Sequence, residues 1–188
     1  MNILQILPEM NVGGVERGTL DLAKYLVEHG HRSIVVSNGG GLVAALEAQG
    51  STHYTLPVHE KNFFVMRECV KALEKIIRDE KVDIVHARSR VPAWIAHFAS
   101  RKTDAEFMTT CHGHYSDHLF SHVMGWGKRV IVISEIIGRH MIEVFRVQPE
   151  NIRLIHRSVD LEKFRFRPRR TGQPSFVISI VGRITPLK

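Results

Sequence analysis

The chain has 188 residues, 44% apolar and 24% charged, with 26 lysines and arginines against 19 acids and a formal net charge of +7. That length suits one ordinary domain, or one domain plus part of another, and no apolar run approaches the roughly 20 residues needed to span a bilayer. The surplus of cations attracts phosphates, nucleic acid or anionic lipid, while Cys69 and Cys111, far apart and without metal-type spacing, point to a reducing cytoplasm.

The opening MNILQILPEM lacks the basic flank and long apolar core of a secretory signal; Asn2 to Leu7 reads instead as a buried strand. A glycine-containing turn leads into a helix with Val15, Thr19, Leu22, Ala23 and Leu26 on one face, which Gly30 ends. SIVVS (Ser33 to Ser37) is a second strand, and Gly39 to Gly41 turn the chain into a short helix, Leu42 to Gln49. From Phe63 to Glu80 a longer helix carries Met66, Val70, Leu73 and Ile77 on one stripe. DIVHA (Asp83 to Ala87), a helix around Pro92 to Ser100, FMTTC, RVIVIS, a helix from Glu135 to Phe145 and NIRLIH continue the alternation. Continuously apolar strands separated by helices predict an α/β fold, a Rossmann-like parallel sheet with helices on both faces.

The first unit is expected over 1–164, with a linker over 165–174 and the first strand and loop of another domain over 175–188. RFRPRR (Arg165 to Arg170) reads as a solvated linker, since nucleic-acid binding needs stacking aromatics over more than Phe164 and Phe166. After the turn TGQPS a fresh strand is expected over Phe176 to Val181.

Ligands of such sheets bind beyond the carboxyl ends of the strands, so the strand-to-helix loops are the places to search. The first, PEMNVGGVERG, has neither GxGxxG nor GK[ST], yet adjacent Gly13 and Gly14 at a helix start let backbone N–H groups approach an anion. A plain tight turn fits equally well, and Glu16 and Arg17 either reach a ligand or face water. DIVHARSR places His86, Arg88, Ser89 and Arg90 at a strand end, a cluster suited to a polar or anionic group or to a solvated loop. In TTCHGHYSDHLFSH, His112, His114, His118 and His122 lie close together with Asp117. His118 and His122 are four apart, as two metal ligands on a helical face would be, but no HExxH motif is present. His112, at the strand end and before Gly113, is the better placed for substrate.

Six segments in order, GGVERGTLDLAKYLVEHGH, DIVHARSR, TTCHGHY, RVIVISE, IRLIHRSVDLEKF and VGRITPLK, resemble the GT-B glycosyltransferases of the retaining family 4 type. The resemblance implies two Rossmann-like domains facing a cleft, and transfer of a sugar from a nucleotide-sugar donor to an acceptor with retention and without a metal or other cofactor. It implies that Gly13 and Gly14 approach the donor phosphates and that His112 is catalytic, contacting the transferred sugar. It matches Ser134 and Glu135 to a VxSE motif, and Arg183 and Lys188 to a basic pair that neutralises the donor diphosphate. Glu16, Arg17, Arg88 and Ser134 are the expected acceptor or sugar contacts. Where the family often has Asn-Gly or Arg-Gly before Val-Asp, this chain has Arg157-Ser158-Val159-Asp160, and the donor-reading E-x7-E segment is absent from it. The expectation is an acceptor-side domain, inactive alone, cytoplasmic or peripheral on an anionic membrane face. Its partners would be a nucleotide-sugar and a glycan or lipid-linked acceptor, not nucleic acid. The rival readings are a non-catalytic anion-binding module of Rossmann type and a metal-dependent hydrolase using the histidine segment.

Overall fold

NILQI is apolar on both sides of its alternation except at Asn2 and Gln5, and it becomes β1 (Asn2–Ile6). The computed structural model describes residues 1–162, 164–166 and 178–179, and the chain divides into two units, Met1–Arg157 and Ser158–Lys188. In the first unit follow α1 (Gly14–Glu28), β2 (Arg32–Ser37), α2 (Val43–Ala48), β3 (Thr52–Thr55) and α3 (Phe63–Asp79). Then come β4 (Ile84–Ala87), α4 (Arg90–Ser100), β5 (Glu106–Cys111), β6 (Arg129–Val132), α5 (Glu135–Glu143) and β7 (Ile152–Leu154). Short 3-10 segments, Leu119–Gly125 and Pro149–Asn151, precede β6 and β7.

All seven strands are parallel, in the order β3-β2-β1-β4-β5-β6-β7. The chain runs outward from β1 to β3 and then crosses back to β4, so a crevice opens beyond the carboxyl ends of β1 and β4. The period-2 alternation of the strands separates two cores. Leu4, Ile6, Ile34, Val36 and Val85 pack with Leu73 and Ile77 of α3 and Ile95 of α4. On the other face Val35 packs with Leu20 and Ala23 of α1 and Leu46 of α2.

Several expectations shift in detail. On α1 the buried residues are Thr19, Leu20, Ala23 and Leu26, while Leu22 is only half-buried. The α3 stripe centres on Cys69, Leu73, Ile76 and Ile77 rather than on Met66 and Val70. Strand β3 (THYT) has no counterpart in the expected elements, and α5 stops at Glu143, short of Phe145.

One glycine positions the first loop. Gly40 has φ +142°, and a Cβ there would lie 2.5 Å from the carbonyl carbon of Met10. Met10 N–H donates to Gly39 O at 2.8 Å and Leu42 N–H to Met10 O at 2.8 Å, so the loops after β1 and β2 are clamped together ahead of α1.

In the second unit, Glu162 N–H donates to Asp160 Oδ1 at 2.9 Å and Phe164 N–H to Asp160 O at 2.8 Å, forming a short turn. The strand expected over Phe176 to Val181 falls outside the described residues except for 178 and 179, and Arg183 and Lys188 lie outside them too.

Candidate functional site

The crevice at β1 and β4 is floored by polar side chains. Gln5, fully buried near the carboxyl end of β1, lies opposite His86 in the sheet. Its Nε2 donates to the carbonyl of Thr19 on α1 at 3.1 Å, and its Oε1 accepts from Arg88 Nη1 at 2.8 Å. Both ends of the amide are thereby satisfied, as burial requires.

Arg88, just past β4, is only 9% exposed, its Nε has no partner, and no described carboxylate lies within ion-pair distance. Burial, and then repulsion from Arg157, pull its pKa down to about 10 against the attraction of Glu16, so it remains charged at neutral pH. Beneath it His86 is buried, its Nε2 2.6 Å from Thr110 Oγ1. Burial first, then repulsion from the Arg88 charge, hold His86 well below its ordinary pKa and keep it neutral.

His112 stands at the end of β5, next to β4. Arg157, following β7, donates from Nη2 to His112 Nδ1 at 3.1 Å. A guanidinium has no acceptor, so this contact assigns Nδ1 as the bare nitrogen and Nε2 as the one carrying hydrogen. That Nε2 is shielded from solvent and has no partner. Burial, with Arg88 and Arg157 adding repulsion, pushes the His112 pKa down to about 3. The side chain is therefore a neutral imidazole offering one N–H, suited to donating a hydrogen bond rather than to carrying charge. Tyr115 nearby is likewise neutral, its hydroxyl pushed up to about 12 chiefly by burial.

The glycines sit against this group. A Cβ on Gly14 would lie 2.5 Å from Arg157 Nη1, so the missing side chain makes room for the guanidinium at the start of α1. Over Gly13 the Glu16 carboxylate folds back, and Gly13 itself is extended, with φ −168°. Arg157 consequently occupies the positive end of the α1 dipole while also repelling Arg88. An anion bound there would relieve both conflicts.

The structure thus brings together Gly13, Gly14, Glu16, Arg88 and His112. Arg17 is exposed. Ser134 heads α5, where its hydroxyl accepts from Ile137 N–H at 3.4 Å as a helix cap. The other histidines disperse: His122 bonds Asp117 Oδ1 at 2.9 Å and packs on Phe145, while His114 stacks near His140. His118 only precedes the 3-10 segment, and among the described residues no three potential ligands converge as a metal would need. Arg157 and Gln5 are the members that motif reading did not assign.

Among the described residues, hollows open at both ends of the strands. The larger, about 550 Å³, is lined by Met1, Asp83, Glu106 and Arg129 at the amino ends of the strands, away from this chemistry. The smaller, about 480 Å³, opens beside Ser89 and Arg90 on the crevice side.

The family model for Glycosyltransferase Family 4 matches residues 12–163. Among solved structures, a glycosyltransferase from Rickettsia africae is 38% identical with a TM-score of 0.78, over 87% of this chain and 45% of that one. Anabaena HepE, solved in complex with UDP and glucose, gives 17% identity and a TM-score of 0.70 over 89% of this chain and 47% of its own. The lipopolysaccharide outer core galactosyltransferase WaaB gives 14% and 0.67 over 86% and 47%. The chain therefore spans about half the length of these structures, as the Rossmann-like N-terminal half of a GT-B fold. No curated protein matches it.

Proposed function

This chain belongs to Glycosyltransferase Family 4, and we propose that it forms the acceptor-side half of an enzyme that transfers a sugar from a nucleotide-sugar donor, with retention and without a metal. The observation that carries the reading is His112, a neutral imidazole at the sheet's crevice whose Nδ1 accepts from Arg157 and whose Nε2–H has no partner. Such a group donates to a sugar hydroxyl or to a departing phosphate oxygen without adding charge of its own.

Departure of a nucleoside diphosphate develops negative charge, and fixed cations and N–H groups stabilise it most when they need not reorganise. The start of α1 at Gly13 and Gly14, with Arg157 over it, supplies that polarity on this side. Arg183 and Lys188 are proposed as the basic pair on the donor side, Arg binding bidentately and Lys as a point charge. Glu16 and Arg88 are proposed to orient the acceptor or the transferred sugar. Arg17 and Ser134 hold that role by resemblance alone, and Ser134 acts first as the α5 cap. The UDP and glucose of the Anabaena structure support a nucleotide-sugar donor here. The net charge of +7 supports contact with an anionic membrane face in the cytoplasm, where a lipid-linked or other glycan acceptor would be met.

The decisive experiment uses the protein extended by roughly one further domain of 150 to 200 residues. His112→Ala should lower kcat far more than it raises the acceptor KM, while the 188-residue chain alone should not turn over any nucleotide-sugar. An unchanged kcat would sink the role of His112, and turnover by the short chain would contradict the half-site reading.

A further inference from the structure

The hollow of about 480 Å³ beside the site is enclosed by three loops: Lys61 before α3, Ser89 to Val91 at the start of α4, and His118, Phe120 and Ser121. Its size falls within the range of small-molecule sites. Its charge is one-sided, because Lys61 and Arg90 line it and no carboxylate does. Neither cation has an acidic partner among the described residues. The Arg90 guanidinium reaches only a neutral hydroxyl, Ser121 Oγ, at 3.4 Å, and otherwise lies over the Tyr115 ring at 5.6 Å.

The start of α4 adds to this field. Ser89 lines the hollow at the cap position but its hydroxyl makes no capping bond, so the first N–H groups of the helix lack a side-chain cap. Phe120, 39% exposed, and Val91 add apolar lining, a surface for the C–H face of a sugar ring.

We propose that this pocket receives a sugar bearing a carboxylate or a phosphate, with Lys61 and Arg90 binding the anionic group and Phe120 the ring. The assignment rests on the glycosyltransferase reading above and deepens it: the acceptor of this domain is acidic. Arg90 lies two residues beyond Arg88, at the start of the helix that follows β4, the strand neighbouring the β5 end that carries His112.

The test is titration of the 15N-labelled 188-residue chain with glucuronate, glucose 6-phosphate, glucose and inorganic phosphate, followed by amide NMR. One or both acidic sugars should shift the signals of Ser89 to Val91 and of Phe120 and Ser121, and bind at least about tenfold more tightly than glucose, as expected for a charge-assisted hydrogen bond. The stronger of the two acidic sugars identifies the anionic group. Lys61→Met and Arg90→Met should each cost about tenfold in acidic-sugar affinity without changing that for glucose, whereas Arg90→Lys should retain most of it. Lys61 is exposed, so its substitution does not threaten folding, and unshifted His112 signals verify this in each variant. Equal affinity for glucose and the acidic sugars would overturn the proposal, as would inorganic phosphate binding as tightly as glucose 6-phosphate. So would methionine variants that bind normally. None of these measurements involves donor or turnover, so failure here leaves the glycosyltransferase reading standing, and loss of that reading comes instead from the His112 kinetics.

Discussion

The ionisation of His112 is the most direct check on the site. At about 4 Å and an effective dielectric of about 20, two unit charges interact by about 4 kcal/mol. Arg157 is exposed, and solvent screening cuts its repulsion of a protonated His112 to roughly 1 to 2 kcal/mol. Burial is the larger cause, and Arg88 remains in place, so Arg157→Gln should raise the His112 pKa from about 3 but leave it below 6.5. The sign follows for stability. Between pH 6.5 and about 3 the unfolded chain binds a proton at this residue that the folded one refuses, so stability falls as pH drops through that window. Arg157→Gln should shallow the slope. Long-range 15N correlation spectra of the histidine rings, recorded from pH 8 to about 4, read both the pKa and the tautomer. A wild-type His112 that titrates near 6.5 would refute the reasoning, and so would a hydrogen on Nδ1, since Arg157 cannot accept it.

Gln5→Leu should destabilise the chain by about 1 to 3 kcal/mol in urea denaturation, because it leaves the buried Arg88 Nη1 without its acceptor while the Thr19 carbonyl keeps only its helical bond; a loss under about 0.5 kcal/mol would mean the amide anchors nothing. Gly40→Ala should cost more than about 2 kcal/mol, combining left-sided backbone strain with a Cβ against Met10. Gly14→Ala, which meets only the end of the flexible Arg157 side chain, should cost less than about 1 kcal/mol while shifting the His112 ring signals as Arg157→Gln does. Elemental analysis of the purified protein should find no stoichiometric zinc or manganese; a full equivalent would revive the histidine segment as a metal site.

The alternation of strands and helices was legible because each buried strand is a short apolar run and each helix has a 3.6-residue stripe. What escaped has identifiable causes. THYT is a four-residue edge strand of mostly polar residues, paired only to β2, so no periodicity marks it. His118 and His122 read as one helical face only if their segment is α-helical. It is instead a 3-10 segment with three residues per turn, and residues four apart do not eclipse. Arg157 joins His112 across 45 positions of sequence, a contact that only the sheet order creates. A signal for Gln5 was available: a lone amide inside NILQIL has to find partners once the strand is buried. The glycines were read as either a plain tight turn or a loop open to phosphate, and the space over Gly14 is filled by Arg157, the residue before Ser158, where this chain departs from the family's glycine.

The choice of an amide at position 5 explains how the site keeps its charge. A carboxylate there would hold Arg88 more strongly, yet it would cancel the guanidinium's field at the crevice. Gln5 fixes the direction of Arg88 through a neutral acceptor and leaves the charge whole. The same logic recurs at His112, where Arg157 orients the ring through its bare nitrogen and, together with burial, keeps it from protonating. The attraction of Glu16 for Arg88 works against two guanidiniums and the positive end of α1. An arrangement of this kind is unfavourable when empty and becomes favourable when an anion enters. Were an anion to bind as proposed, the free energy withheld from the fold at Arg88 and Arg157 would be available for holding it.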